Sequence, residues 1–271
     1  MNRTLRDLFS FFQRDLRIAS TYRSPFVLEF VEALFGVAMF YYVARFVDSP
    51  ELRQALPRGN TYFAYSLVGF VFFDYLNAAL DTFDQSLLEA RDTGTLEPLL
   101  VTQTSLPVIL AGSAVYPFVA TTLRIAVYLG WGAALFGFPL GGANWLAALA
   151  VLFATLLAFS GLGILSASYL LLFKRGNPAK WFLLGLSSVV GGMLFPVSIL
   201  PEWLQFISRL NPVTYALDAM RGALLDDAGL LAIAEPLLIL LLFGVLLLPV
   251  SMAVFAWALR RTKATGTLTH S

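Results

Sequence analysis

The chain has 271 residues, 58% of them hydrophobic and 13% charged, with a formal net charge of +1. Its mean hydropathy of +0.76 lies far outside the range of soluble domains. It has no cysteine and one histidine, His270, next to the last residue. That composition excludes disulfides, thiolate metal sites and cysteine nucleophiles, and argues against a histidine base or metal cluster.

Residues 3–22 predict an amphipathic helix lying in the membrane interface. Leu5, Leu8, Phe9, Phe12, Leu16 and Ala19 recur at helical spacing, while Arg3, Arg6, Gln13, Arg14 and Arg17 fill the other face. A basic amphipathic helix of this kind is drawn to anionic headgroups; the alternative is a helix packed on the protein's own cytoplasmic surface. Arg residues continue to Arg23 with no apolar region and cleavage site before them, so a cleaved signal peptide is not expected.

Six apolar stretches follow, at residues 25–47, 61–84, 106–137, 145–172, 181–200 and 233–259. About 20 apolar residues suffice for a helix to cross the hydrocarbon core. The expected fold is therefore an all-α integral membrane protein with six transmembrane helices. It forms a single domain over 1–271: an interfacial helix at 1–24, a six-span bundle at 25–259 and a cytoplasmic tail at 260–271. No intervening segment is long enough for a separate globular core.

Lys and Arg are asymmetric across the spans. Arg3, Arg6, Arg14, Arg17, Arg23, Arg91, Lys174, Arg175, Lys180, Arg260, Arg261 and Lys263 fall at one set of span ends. The other set has Arg45, Arg53, Arg58, Arg209 and Arg221. The positive-inside rule then places both termini in the cytoplasm, in agreement with an even number of spans.

Ionisable groups inside spans are costly and face a bundle interior, a water-filled cavity or a partner charge. The first span carries Glu29 and Glu32; the second carries Asp74, Asn77, Asp81 and Asp84 within one helical face. Glu29, Glu32, Asp81 and Asp84 are expected at similar depth near the cytoplasmic boundary. Arg124, in the third segment, is the one clearly intramembrane base. Two readings stay open: Arg124 neutralises one carboxylate and staples the bundle, or these residues line a translocation route. Pro117 predicts a bend in the third segment. Gly161, Gly163, Ser187, Gly191 and Gly192 predict close helix packing.

Between the fifth and sixth stretches, Pro196, Pro201 and Pro212 punctuate short amphipathic runs that also contain Trp203 and Asn211. Broken apolar backbone at membrane depth must be covered by protein or line a cavity. A short helical hairpin dipping into the outer leaflet is expected, returning through 213–225.

The chain has no G-x-x-x-x-G-K-[ST] phosphate loop, dinucleotide fingerprint or H-E-x-x-H motif, so no catalysis by the chain alone is expected. Its informative motif is the connection between the second and third stretches, Leu88-Glu89-Ala90-Arg91-Asp92-Thr93-Gly94-Thr95-Leu96-Glu97-Pro98-Leu99-Leu100. Leu88, Leu96, Leu99 and Leu100 can pack, Glu89, Asp92 and Glu97 can meet a basic groove, and Gly94 permits a sharp turn. Such a helix is a lever through which a nucleotide-dependent partner could move both adjoining spans. The alternative is an ordinary connector.

This segment resembles the coupling segment of type-2 ABC transporter permeases, with Gly94-Thr95-Leu96-Glu97 and the Leu99-Leu100 pair. Phe195-Pro196, Leu200-Pro201-Glu202-Trp203-Leu204 and Asn211-Pro212-Val213-Thr214-Tyr215 through Arg221 are similar to the family's stretch before its last span. Gln103 departs from the family, which often has proline shortly after the Leu-Leu pair. The resemblance implies a permease in the cytoplasmic (inner) membrane that forms a homodimer, or pairs with a homologous permease, through its first and fifth spans. It implies two copies of a separate ATPase, which binds ATP and Mg²⁺, with no cofactor on this chain. Coupling to the ATPase would involve Glu89, Arg91, Gly94, Thr95, Leu96, Glu97, Leu99 and Leu100. The cargo implied is an amphipathic drug, lipid or lipid-linked glycan; membrane lipids are expected partners and nucleic acid is not. Two rivals stand beside this reading: a proton-coupled secondary transporter using Asp74, Asp81 and Glu32, and a carboxylate- and metal-dependent membrane lipid enzyme.

Overall fold

The computed structural model describes residues 3–21, 24–47, 56, 61–92, 106–173 and 177–264. Every regular element among the described residues is helical. They are α1 (Arg3–Thr21), α2 (Ser24–Val47), α3 (Tyr62–Asp92), α4 (Leu106–Phe136), α5 (Trp145–Phe173), α6 (Pro178–Val190), α7 (Glu202–Arg209), α8 (Pro212–Leu225) and α9 (Ala234–Ala264), with a short 3-10 turn at Val197–Ile199.

Five of these helices, α2, α3, α4, α5 and α9, are long and apolar enough to cross a membrane. The stretch 181–200, expected as another span, is not one helix. Its helical part, α6, has 13 residues, about 20 Å at 1.5 Å per residue against a hydrocarbon core of about 30 Å. It starts where Asn177 caps it: Asn177 Oδ1 accepts the Lys180 N–H at 3.0 Å, and Pro178 occupies the first turn, where its missing donor costs nothing. It stops at Gly191, and Gly192 then takes a positive φ of 78°, a conformation that favours glycine.

The helices form a bundle around α3, which packs against α2, α4, α5, α6 and α8. Its central position explains its burial: Leu67, Leu76, Ala79, Leu80 and Tyr75 are fully covered. α9 lies mainly on α5 and α8. Small residues set the close crossings, as the sequence suggested. A Cβ on Gly163 would lie 2.4 Å from the Ala79 carbonyl oxygen of α3, and one on Gly161 would lie 2.7 Å from Leu247 Cβ of α9. The outward faces of α2 and α9 stay apolar, with Phe35, Phe46, Leu238 and Val245 exposed. A bilayer, rather than water, suits such surfaces.

The bundle has two distinguishable ends. At one, α3 begins, α6 finishes and α8 packs against α3; we call this the hairpin end. At the other, α3 and α9 finish, α6 begins and α1 lies against α4. Residues 260–264, expected in a tail, instead continue α9; Thr262 is buried there and donates to the Ala258 carbonyl at 2.9 Å.

α1 is amphipathic as expected, but its apolar residues are divided. Phe11 packs on Gly112 of α4, and Phe12 meets Tyr116 with ring centroids 6.3 Å apart. Phe9 and Leu16 stay exposed. The helix thus packs on the protein through one strip and offers another strip outward.

Before the last long helix, where a hairpin was expected, stand two short helices, α7 and α8. Pro201 precedes α7, and Gln205 Nε2 folds back to donate to the Leu200 carbonyl at 2.8 Å. Asn211 caps α8 by accepting the Val213 N–H at 3.1 Å, with Pro212 in the first turn. Trp203 is 66% exposed.

Candidate functional site: a polar cleft and the ties around α3

A polar cleft of about 450 Å³ opens between α1, α2, α3 and α4. Glu29 of α2, Asp74, Asn77 and Asp81 of α3, and Arg124 of α4 line it, as a shared site would require. Arg14 and Asp15 of α1, Gln85 and Glu89 of α3, and Ser113, Tyr116 and Pro117 of α4 complete the wall. α4 runs through Pro117 as one helix. Proline there has no N–H to offer the carbonyl one turn back, at Ser113, and this weakened turn faces the cleft.

Arg124 Nε lies 3.0 Å from Asp74 Oδ2. The contact is a charge pair rather than an aligned hydrogen bond, since neither atom has a hydrogen-bonding partner. Asp81 does not share Arg124; its carboxylate meets the Lys180 ammonium of α6. Glu32 is exposed and does not line the cleft.

Asp84 also lies elsewhere. Residues 74 and 84 differ by about 80° around a helix at 100° per residue, and in the centre of a bundle that angle separates two neighbours. Asp84 is 6% exposed. It accepts from Asn177 Nδ2 at 2.7 Å and from Ser166 Oγ at 3.3 Å, while Asn177 Nδ2 also donates to Ser166 Oγ at 2.7 Å. This buried node joins α3, α5 and the cap of α6.

Arg221 is the largest departure from expectation. Its place in the sequence suggested a charge at the outer rim; it is 4% exposed instead. Nη1 donates to the Gly192 carbonyl at 2.8 Å, and Nη2 donates to the Met193 and Tyr65 carbonyls at 2.9 and 3.0 Å. Its guanidinium carbon sits 3.4 Å from the centroid of the Tyr65 ring, and Tyr65 O–H donates to the Gly192 carbonyl at 3.0 Å. The backbone break after α6 bares carbonyls in the protein interior, and the arginine satisfies them.

Of the residues expected to couple to an ATPase, Glu89 and Arg91 fall within the last turns of α3, which runs two turns beyond the expected end at 84. Gly94, Thr95, Leu96, Glu97, Leu99 and Leu100 lie outside the described residues. α3 thus lines the cleft, packs against α8 and leads into residues 93–105.

The family model for ABC-2 type transporters matches residues 8–225, from within α1 to the end of α8. The chain belongs to this family. Curated relatives agree: it is 26% identical over 149 residues to the probable multidrug ABC transporter permease YbhR of Escherichia coli strain K12, covering 54% of this chain and 39% of YbhR. It is 27% identical over 163 residues to the inner membrane transport permease YadH of the same strain, covering 60% of this chain and 63% of YadH. The matched parts thus span less than two thirds of either relative.

The permease's ties at Asn177, Lys180 and Arg221 escaped sequence reading. A signal was present for the first two: Asn177 and Lys180 are three residues apart, the same interval as Asp81 and Asp84, and antiparallel helices place such pairs face to face. For Arg221 no comparable signal exists, because its partners are backbone carbonyls.

The Asp74–Arg124 pair yields a first prediction. Both side chains are partly exposed, at 20% and 31%, so the pair is discounted to about 1 kcal/mol. Arg124→Gln is expected to cost about that much in reversible unfolding in mixed micelles, and the swap Asp74→Arg with Arg124→Asp to recover most of it. A swap as unstable as the summed single variants would contradict a simple staple and favour a cleft role for these charges.

Proposed function

We propose that the chain is the membrane subunit of an ATP-driven ABC exporter in the cytoplasmic membrane, with both termini cytoplasmic. It acts as a homodimer, or with a homologous permease, and with two copies of a separate ATPase that carries ATP and Mg²⁺. The coarser part, a transmembrane subunit of an ABC-2 transporter, follows from the family. The observation that carries the rest is the convergence on α3: the helix that runs into the Gly94–Leu100 segment also supplies Asp74, Asn77 and Asp81 to the polar cleft.

The cleft suits the charged head of an amphipathic molecule, while its tail stays in lipid beside the apolar outer faces of the bundle. Polar walls at membrane depth replace the water such a head would otherwise lose. A drug or lipid cargo fits that division; "multidrug" in the name of YbhR points the same way for that protein. Six crossings are completed if α6 together with the hairpin serves as the fifth. Gradient-driven transport is the competing reading that the cleft carboxylates would support.

The test is reconstitution in lipid with the ATPase encoded nearest to this gene. Formation of a complex whose hydrolysis changes on adding the chain supports the proposal. Transport that follows a proton gradient and ignores ATP would replace it with the secondary-transport reading. Within the complex, Glu97→Arg is expected to leave the fold intact and reduce export tenfold or more while hydrolysis persists, because it reverses the charge offered to a basic groove. Coupled export at the normal rate would remove Glu97 from the lever.

A further inference from the structure

α6 is too short to cross a membrane alone, yet it is fixed to α3 at both of its ends. At its start, Lys180 pairs with Asp81, and Asn177, its cap, donates to Asp84 at 2.7 Å. At its finish, the Gly192 carbonyl accepts from Tyr65 O–H of α3 at 3.0 Å and from Arg221 at 2.8 Å. Gly69 of α3 completes this upper tie: a Cβ there would lie 2.0 Å from the Met193 carbonyl oxygen, so only glycine admits that approach.

The face of α6 turned away from the bundle is open. Trp181, Phe182 and Val189 point outward, and a Cβ on Gly185 would meet nothing within 4 Å. Leu184, Ser187 and Val190 face the bundle. Ser187 accepts from Asn211 Nδ2 at 3.2 Å, which joins α6 to the cap of α8. The hairpin thus hangs from the far end of α6, whereas its near end is tied to the part of α3 that leads into residues 93–105.

We propose that α6 is a strut: α3 and α6 move as one body, and a displacement of the segment after α3 reaches the α7–α8 hairpin through the ties at Asp81–Lys180, Asp84–Asn177 and Arg221. Asp81, Asn177, Lys180 and Arg221 are on this account positioning residues of the transport cycle. The proposal deepens the permease reading and rests on it for the origin of the push; the mechanical tie itself belongs to this chain. A helix stands as a stiff element over two to four turns, so ties at both ends suffice to transmit a rigid shift, whereas a single tie would let it pivot. The ties differ in kind, which matters for transmission. The near ones are side chain to side chain and can be broken singly, and the far one grips backbone and is released only with the turn itself.

The experiment uses the full chain in lipid nanodiscs and follows amide hydrogen exchange in wild type, Lys180→Met, Asn177→Ala, the double variant, and the swap Asp81→Lys with Lys180→Asp. Asn177→Ala and Lys180→Met together are expected to raise exchange at least tenfold at the amides of residues 191–194, four turns away, and the swap to remain near wild type there. Faster exchange confined to the first turn of α6, or a swap as loose at 191–194 as the double variant, overturns the strut. The same variants are then placed in the complex with the ATPase, with spin labels on introduced cysteines at Phe206 of α7 and Leu246 of α9, both exposed; the chain has no native cysteine to remove. A nucleotide-dependent change in that distance, present in wild type and lost in the double variant, supports transmission; a change that persists unaltered in the double variant overturns it. Failure to bind any ATPase would count against the permease reading alone, since the exchange result decides the tie without it.

Discussion

Arg221→Met is expected to cost about 3 kcal/mol of stability in reversible unfolding in micelles and to loosen the turn after α6. Methionine roughly matches the volume, so the loss comes from the carbonyls left behind. Gly192 retains the Tyr65 hydroxyl, and the Tyr65 carbonyl retains its place in the α3 ladder, but Met193 loses its donor. One orphaned buried acceptor costs about 1–3 kcal/mol, and the lost charge-assisted bonds add to it. Relief of a buried charge works in the opposite direction, because removing a guanidinium from a buried site recovers desolvation. The geometry decides the sign: three carbonyl bonds and a stacked tyrosine are more than that relief returns. Arg221→Lys is expected to recover little, since an ammonium on a flexible stem does not reproduce a planar fork reaching three acceptors. A methionine variant as stable as wild type would show that water or lipid headgroups already serve these carbonyls.

Gly163→Leu is expected to cost about 3 kcal/mol or more, with most of the chain lost from the monodisperse fraction on purification. A Cβ at this position would lie 2.4 Å from the Ala79 carbonyl oxygen and 2.6 Å from Phe83 Cδ2. The first contact is backbone, so no rotamer change relieves it and α5 must move away from α3. Ser166 lies three residues further along α5 and holds Asp84; separating the helices would strip that carboxylate of a partner as well. Gly163→Ala is expected to show a smaller version of the same defect. Gly185→Leu is the control: open space surrounds that position, and stability is expected to stay within about 0.5 kcal/mol of wild type. Leucine has the higher helix propensity, so equal losses at both sites would mean that added bulk anywhere on these helices, not the α3–α5 crossing, governs the result.

The two sites illustrate what can be read without coordinates. Gly161 and Gly163 stand in a long apolar helix, and close packing is the direct consequence of missing side chains. Likewise Asp74, Asn77 and Asp81 share one helical face, and because carboxylates do not face lipid, a bundle interior, a cavity or a partner charge was expected there. Arg221 gave no such warning. Its neighbours in sequence mark the end of an amphipathic helix, where an arginine normally faces water or headgroups.

Hydropathy by itself determined the helical membrane fold, the order of its long helices and the positions of their ends to within a turn or two, because the bilayer imposes length and apolarity on any stretch that crosses it. Motif order further disclosed the family. Only tertiary structure decided which carboxylate meets which base, that Asp84 turns from the cleft to α5 and α6, and that a 13-residue helix stands where a full span was expected. The reason is geometric. Helix formation and membrane insertion are properties of neighbouring residues, but α3 is surrounded on all sides, and a rotation of under a quarter turn selects a different partner helix. Backbone carbonyls, the ligands of Arg221, are the same in every residue and leave no mark in the sequence until the chain has folded around them.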